Sequence, residues 1–464
     1  MALCGATSIG EPIELLGPPL PGVVVPTAYS QEPAAQSPTR RLALAAAAVP
    51  PLVLAVLIAC HAVNVPWWDQ WDFVGVLARA RDGTLGLTDL WKLHNEHRVL
   101  LPRLLMLGSA LLTSWDVRFE LAVSYAMAWA VFLLLLRLAA GDGAPDSPGS
   151  SPLVTVAISA AVFSPSQFEN WLWGWQLALF LSNLCLAGAV WCLVSGPPDC
   201  RRRYWAALVA ALAGTCTMAS GLFIWPAGAL LLAWRTGRSR RLLGWLGTGA
   251  CALLAYAWGP DASAHAPHWR MALYYPAEYV RYVLAFLGGF FLVTPPLAVF
   301  LGIVECAALA GGLAYVALRE PRLMPQCRAW CAVALYVLAI AAGSGLGRLS
   351  SGYEQATAGR YPTFSMLFLV SAIAVAAVAF SIQSAPRRRW PRVGALLVLA
   401  AGLACAHVRG AGEMAALGGR LERVRLCVHD LEKADLFCLT EAHPDVTVVV
   451  SGVRYLRSIH YGGF

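Results

Sequence analysis

The chain predicts an all-α, multi-pass membrane protein. Of its 464 residues 58% are hydrophobic and only 13% are charged, the mean hydropathy is +0.61, and apolar runs near the length of a bilayer crossing recur along it. That composition excludes a soluble enzyme. The net charge of +8 does not point to nucleic acid, because the basic residues come in short clusters between apolar runs, as topology signals do. The cysteines show no zinc-type spacing. Cys185, Cys192, Cys216, Cys251 and Cys405 lie inside apolar runs, where a thiol behaves as a small hydrophobe.

Residues 1–39, rich in Pro, Ala and Gly, have no basic start followed by an apolar core and read as a disordered cytoplasmic tail. Arg40 and Arg41 then precede the apolar run 42–63, a signal-anchor helix with its N-terminus inside, so the next loop is expected outside. Basic clusters at Arg137, 201–203, 235–241, 319–328 and 387–392 fit one inner face if the stretch 64–118 stays outside. The apolar piece 99–113, short for a span and carrying Pro102 and Arg103, then lies along the surface. The spans read as 42–63, 119–138, 152–163, 175–194, 205–220, 222–234, 242–258, 296–318, 329–344, 363–382 and 393–407, about eleven crossings within a membrane domain of residues 40–407. The piece 283–294, flanked by Gly288, Gly289, Pro295 and Pro296, reads as a re-entrant or surface helix. An odd count leaves residues 408–464 outside as a small extracytoplasmic segment with a strand-like run at 446–450. Cys427 and Cys438 there form either a disulfide or two buried thiols. No internal repeat stands out, which disfavours a transporter built from inverted halves.

Polar chemistry concentrates in the first outer loop. It reads Trp-Trp-Asp-Gln-Trp-Asp at 67–72 and His-Asn-Glu-His-Arg at 94–98. Ionisable groups beside hydrocarbon are costly unless they are paired, hydrated or functional. After Asp69, residues 70–81 have the period of a short amphipathic helix, with Trp71, Val74, Leu77 and Ala78 on one face and Gly83 as its stop. Asp69 therefore has two readings, an N-cap or a carboxylate facing a cavity, and Asp72 either adds charge at the helix start or shares the second role. Pro102 falls in the first turn of the surface helix, so Arg98, Arg103 and the free amides of that turn make an anion-attracting corner. His94, Glu96 and His97 either hold a divalent metal or brace the loop by hydrogen bonds to Asp69 or Asp72, and their spacing matches no strong metal signature.

Three other segments bear on chemistry. The turn 166–176 interleaves Glu169, Asn170 and Gln176 with Trp171, Trp173 and Trp175, as an aromatic belt or a sugar-binding surface would. The outer turn 345–361 carries Arg348, Arg360 and Tyr361, either cations and donors for a phosphate or, for the last two, anchors of the following span. The piece 261–281, with His265, His268, Tyr274, Tyr275 and Tyr279, is a lid or a plain amphipathic surface helix. Glu305 is the one carboxylate near the middle of an expected span.

This order of parts resembles the GT-C superfamily of membrane glycosyltransferases, which includes bacterial lipid A aminoarabinose transferases and protein O-mannosyltransferases. The shared features are a first helix, an outer loop opening on an acidic motif, two surface helices, a Pro-containing segment and a second span. They cover the first third of the chain in pattern and the rest in topology. The resemblance implies a catalytic carboxylate in the acidic motif and a polyprenyl-phosphate sugar as donor. Trp-Trp-Asp-Gln-Trp-Asp stands where the family has an adjacent acidic pair, so both Asp69 and Asp72 are candidates.

The chemistry fits the residues directly. Moving a sugar from a lipid phosphate to a hydroxyl needs a carboxylate to take the acceptor proton, Asp69 first and Asp72 second. A carboxylate also steadies an oxocarbenium-like transition state. His97, Arg98, Arg103, Arg348, Arg360 and Tyr361 are the expected donors to the departing phosphate, and His94, Glu96, Glu169, Asn170, Trp171 and Gln176 the expected substrate contacts. No cofactor or metal ligand set is assigned, although a divalent metal is compatible with the loop. The expected activity is an inverting transfer to a cell-envelope glycan, lipid or protein on the outer face of the cytoplasmic membrane. The rivals are a lipid-linked-sugar flippase or proton-coupled transporter, which needs charges such as Glu305 at mid-membrane depth, and a non-catalytic assembly protein, in which Asp69→Asn and Asp72→Asn change no activity.

Overall fold

The computed structural model describes residues 38–141, 151–258, 269–382 and 389–464. The expected tail lies outside the described residues up to position 37, as do His265 and His268 of the expected lid. The described chain is helical almost throughout. Its one strand pair there joins Leu93–His94 to His97–Arg98 around Asn95, which takes a left-handed φ of 51°.

Seven helical segments are long and apolar enough to cross a membrane: Arg41–His61, Val117–Ala140, Gly174–Val194, Pro295–Arg319, Pro321–Ser351, Pro362–Ser381 and Arg392–His429. This is the pattern of a multi-pass membrane protein. The further expected spans do form helices, at Pro152–Val162, Arg201–Thr215, Ile224–Thr236 and Arg240–Ala257, but these fall short in length or apolarity. Pro152–Val162, for example, rises only about 16 Å, roughly half a hydrocarbon core.

Pro362–Ser381 is apolar on every side and is accordingly the central, most buried helix. The helix Pro276–Gly288 holds the first half of the piece 283–294 expected to be re-entrant or on the surface, which continues through a short turn of helix at Gly289–Phe291. It packs tightly on the next span through small residues: a Cβ on Gly288 would meet the Ala298 carbonyl oxygen at 2.1 Å, and one on Gly302 the Leu284 carbonyl oxygen at 2.1 Å.

The two ends of the bundle differ chemically. Arg137, Val194 and Pro325 line a cavity at one end, and Val194, Arg235, Pro325 and Arg328 line its neighbour. The opposite ends of the same helices carry Glu120, Gln176 and Arg348 together with the aromatic turns. The basic turns are thus remote from the acidic loop.

Past residue 407 the structure departs from expectation. The helix Arg389–His429 runs unbroken for 41 residues through that point. The strand-like run at 446–450 is instead part of the helix Val446–Ser458. Its β-branched residues favour a strand locally, but Val449, Gly452, Val453 and Leu456 bury one helical face, part of which packs against the loop helix Gln70–Arg81, and tertiary packing prevails. Asp445 caps it by accepting from the Thr447 amide at 2.9 Å. Cys427 and Cys438 are joined in a disulfide that ties the long helix to Leu436–Ala442. The whole C-terminal segment folds back over the first loop. The Trp68 amide donates to the Ala442 carbonyl at 2.8 Å, Trp67 Nε1 to the Glu441 carbonyl at 2.9 Å, and the Gly462 amide to the Ser114 carbonyl at 2.7 Å.

Candidate functional site

The loop rests on a carboxylate that sequence reasoning missed. Glu120, buried in the first turn of Val117–Ala140, accepts from Gln70 Nε2 at 2.8 Å and Trp115 Nε1 at 2.9 Å. Gln70 in turn accepts from the Trp67 amide at 3.3 Å, and Trp173 Nε1 donates to the Trp67 carbonyl at 2.9 Å. Gly174 lets these groups close up, because a Cβ there would lie 2.1 Å from Glu120 Oε2. The available signal was an acid placed in the first turn of an apolar span.

The helix Gln70–Arg81 forms as its periodicity predicts, with Trp71, Val74 and Leu77 buried. Asp69 stands at its N-cap position, yet its side chain makes no capping hydrogen bond. Its Oδ2 lies instead 3.4 Å from His94 Nε2. His94 Nδ1 is 3.9 Å from Asp72 Oδ2, and that same oxygen is 3.9 Å from Nε2 of His443, delivered by the C-terminal segment. The His94 ring is steadied against Trp175, with centroids 4.6 Å apart. Burial lifts the Asp72 carboxyl above its usual range and Asp69 adds to this, outweighing the opposing pull of His94 and His443.

Asp69, His94, Glu96 and His97 line a cavity of about 350 Å³ together with Arg348, Arg360 and Tyr361. Trp68, Trp173, Trp175 and Gln176 also line it, and Leu179, Met218, Leu222 and Ile340 make the lining partly aliphatic. Asp72 sits behind Asp69 and outside this lining. Glu96 pairs with Arg348 Nη2 at 2.8 Å and approaches His97 Nε2 at 3.5 Å. Burial alone would raise the Glu96 carboxyl, but His97 and Arg348 together hold it at about 2. Burial drives His97 down to about 4 against the opposing pull of Glu96, with Arg348 adding to the fall. At neutral pH His97 is therefore uncharged, and Arg348 is the cation that faces Glu96. His97 offers a phosphate a neutral hydrogen bond and no charge.

This gives a pH signature. The folded chain binds a proton at His97 less readily than the unfolded chain, whose imidazole titrates near 6.5. The associated stability is present above pH 6.5 and is lost as pH falls through that value toward 4, by about 2–3 kcal/mol in all. Thermal unfolding across this window should show the slope, and His97→Gln should flatten it.

Two expected phosphate ligands are structural clamps instead. Arg98 is buried, and its guanidinium donates to the carbonyls of Tyr256 at 2.6 Å, Trp91 at 2.6 Å and Trp258 at 2.5 Å. Arg103 donates to the carbonyls of Leu90 at 2.9 Å and Lys92 at 2.5 Å, closing the end of the short helix Leu87–Trp91. Neither lines the cavity, because unpaired backbone carbonyls at helix ends compete for the same charge. Arg98→Ala should therefore lower thermal stability by about 3 kcal/mol through its orphaned carbonyls. Arg348→Ala should instead leave the Glu96 carboxylate without its cation and raise its titration from about 2 toward the ordinary carboxylate range, as a pH titration followed by NMR would show.

The turn 166–176 divides. Asn170 and Trp171, expected to bind substrate, are core residues. Asn170 Nδ2 donates to the Arg360 carbonyl at 2.8 Å and to Thr363 Oγ1 at 2.5 Å, and Trp171 Nε1 donates to the Ser164 carbonyl at 2.9 Å. Gln176 reaches the cavity. Glu169 lies 3.8 Å from Arg360 Nη1, and its buried Oε2 accepts no hydrogen bond among the described residues. Burial pushes its carboxyl upward against the pull of Arg360. Tyr361 is held by Ser344, which donates to its hydroxyl at 3.2 Å, and by a tilted ring contact with Phe286, centroids 4.7 Å apart.

For a metal, the grouping differs from the expected His94, Glu96 and His97. Ligand atoms of Asp69, Asp72 and His94 lie within 4.8 Å of one another, while Glu96 and His97 turn toward Arg348. Two carboxylates and an imidazole suit magnesium, manganese or zinc. No family model, curated protein or solved structure matches the chain.

Proposed function

We propose that the chain is an inverting glycosyltransferase that moves a sugar from a polyprenyl-phosphate donor to a cell-envelope acceptor. The observation that carries this reading is one cavity whose lining brings together Asp69 with His94, the cations Arg348 and Arg360, tryptophans and aliphatic side chains. In the proposed step an acceptor hydroxyl oxygen attacks the anomeric carbon and the bond from that carbon to the phosphate oxygen breaks. The electron pair leaves with the lipid phosphate, and the hydroxyl proton passes to Asp69, which His94 orients. Arg348 and Arg360 receive the growing phosphate charge. The Leu179, Met218, Leu222 and Ile340 wall suits the start of the lipid chain.

In this reading the loop end of the bundle faces away from the cytoplasm and the basic end faces it, in a cytoplasmic membrane with the N-terminus inside. The positive-inside rule supports the basic end, and the Cys427–Cys438 disulfide supports an oxidising compartment at the other.

Glu305 favours a second reading, transport or flipping. It is buried within Pro295–Arg319, and neither carboxylate oxygen has a hydrogen-bond partner among the described residues. Purified protein in vesicles separates the two when supplied with polyprenyl-phosphate sugars. Transfer releases free lipid phosphate; flipping moves the intact donor between leaflets and releases none.

A further inference from the structure

Beside the cavity just described lies a second, of about 340 Å³, and the two share Trp68, Trp173 and Arg360 in their walls. Their linings differ in kind. The first has the aliphatic wall already named. The second has only tryptophans and polar side chains: Trp67 joins the shared pair, and Glu169, Arg420, Thr440 and Glu441 supply donors and acceptors. Such a lining offers nothing to an acyl chain. Flat apolar faces interleaved with hydrogen-bonding groups match the alternating CH faces and hydroxyl edges of a sugar ring.

Trp68 sharpens the case. It has a φ of 50°, the left-handed region, which is strained for a bulky residue, and the Trp68 amide is held there by the Ala442 carbonyl at 2.8 Å. A strained backbone that buried its side chain would be a packing device; this one leaves the ring 40% exposed at the junction of both cavities. Its neighbours set the ring's surroundings, with Trp67 edge-on at 6.0 Å and Trp67 packed on Trp173 at 5.1 Å. In the same lining, Glu169 Oε2 is buried and, among the described residues, accepts no hydrogen bond; its ion pair with Arg360 is long, at 3.8 Å. A carboxylate oxygen in a polar chamber whose nearest partner is a long ion pair is suited to a hydroxyl donor.

We propose that this second cavity is the acceptor subsite and that it takes a saccharide, stacked on Trp68 and hydrogen-bonded by Glu169. The inference rests on the transferase reading for the word acceptor, while saccharide binding stands on the cavity itself. The shared wall then places the reacting hydroxyl beside Asp69, which lines the first cavity next to Trp68.

The test uses the full chain in lipid nanodiscs, free of glycoside detergents, with maltotriose, mannotriose and arabinotriose as probes followed by saturation-transfer NMR. A Ser/Thr-containing hexapeptide serves as the competing class. Trp68→Gly removes the ring at a φ that glycine adopts without strain, so the fold is kept, and Glu169→Gln provides an independent variant. Expected is saturable binding of at least one saccharide, weakened tenfold or more in each variant. Binding of none of the saccharides, equal binding by wild type and Trp68→Gly, or binding of the peptide in their place overturns the proposal. Lipid-phosphate release from a polyprenyl-phosphate sugar is measured on the same preparations. Release without saccharide binding removes the subsite and leaves the transferase. Trp68-dependent binding without release removes the transferase and leaves the saccharide site.

Discussion

On the proposed transferase reading, Asp69→Asn is expected to lower turnover of a polyprenyl-phosphate sugar by about 10²–10⁴-fold, the range for loss of a general base, and to leave the thermal unfolding midpoint where it was. The two halves of that result have separate causes. Asparagine cannot accept the acceptor proton, so the chemical step fails. The fold is indifferent because the Asp69 side chain makes no capping bond, although it occupies the N-cap position of Gln70–Arg81. A stability loss near 1 kcal/mol on Asp69→Ala would point back to a capping role. Asp72 gives a contrasting outcome. It lies outside the cavity lining and contacts His94 and His443, so Asp72→Asn slows turnover through the orientation of His94 and costs less than Asp69→Asn.

Glu120→Ala produces the largest structural effect, a loss of about 2–5 kcal/mol in unfolding free energy together with loss of donor turnover. Both carboxylate oxygens are used, one by Gln70 and one by Trp115, and both donors are buried. Removing the acid leaves two buried N–H groups unpaired and a void beside Gly174. The turn from Trp67 to Gln70, which aims Asp69, then has no floor. Glu120→Gln is the milder variant, since its amide keeps one acceptor oxygen. A graded decline from wild type through Gln to Ala, seen in both denaturant unfolding and turnover, is the expected pattern.

The helix Gln70–Arg81 was readable because a buried stripe imposes a period that survives in the sequence, and the apolar spans for the same reason. Arg98 and Arg103 were misread because their partners are backbone carbonyls, some of them in a distant helix, and a sequence does not show which carbonyls converge. Asn170 and Trp171 carry the same side chains in a core as in a binding site; only their donors' targets in Arg360, Thr363 and Ser164 separate the two. The run at 446–450 looked like a strand because β-branched residues score locally, whereas a helix there buries one continuous face, packed in part against the first loop. His443 joins the acidic group only because the C-terminal segment folds over that loop, a long-range contact with no local signal.

Asp69 is proposed to drive transfer of sugar away from a lipid phosphate. The most direct test of that role is a single assay of wild type and Asp69→Asn, matched for thermal stability, given polyprenyl-phosphate sugar labelled in both the lipid and the sugar. Expected are free lipid phosphate and sugar-labelled product in equal amounts from wild type, and release from Asp69→Asn slower by at least about 100-fold. Equal release from both proteins, or intact donor crossing the bilayer with no release from either, would contradict that role.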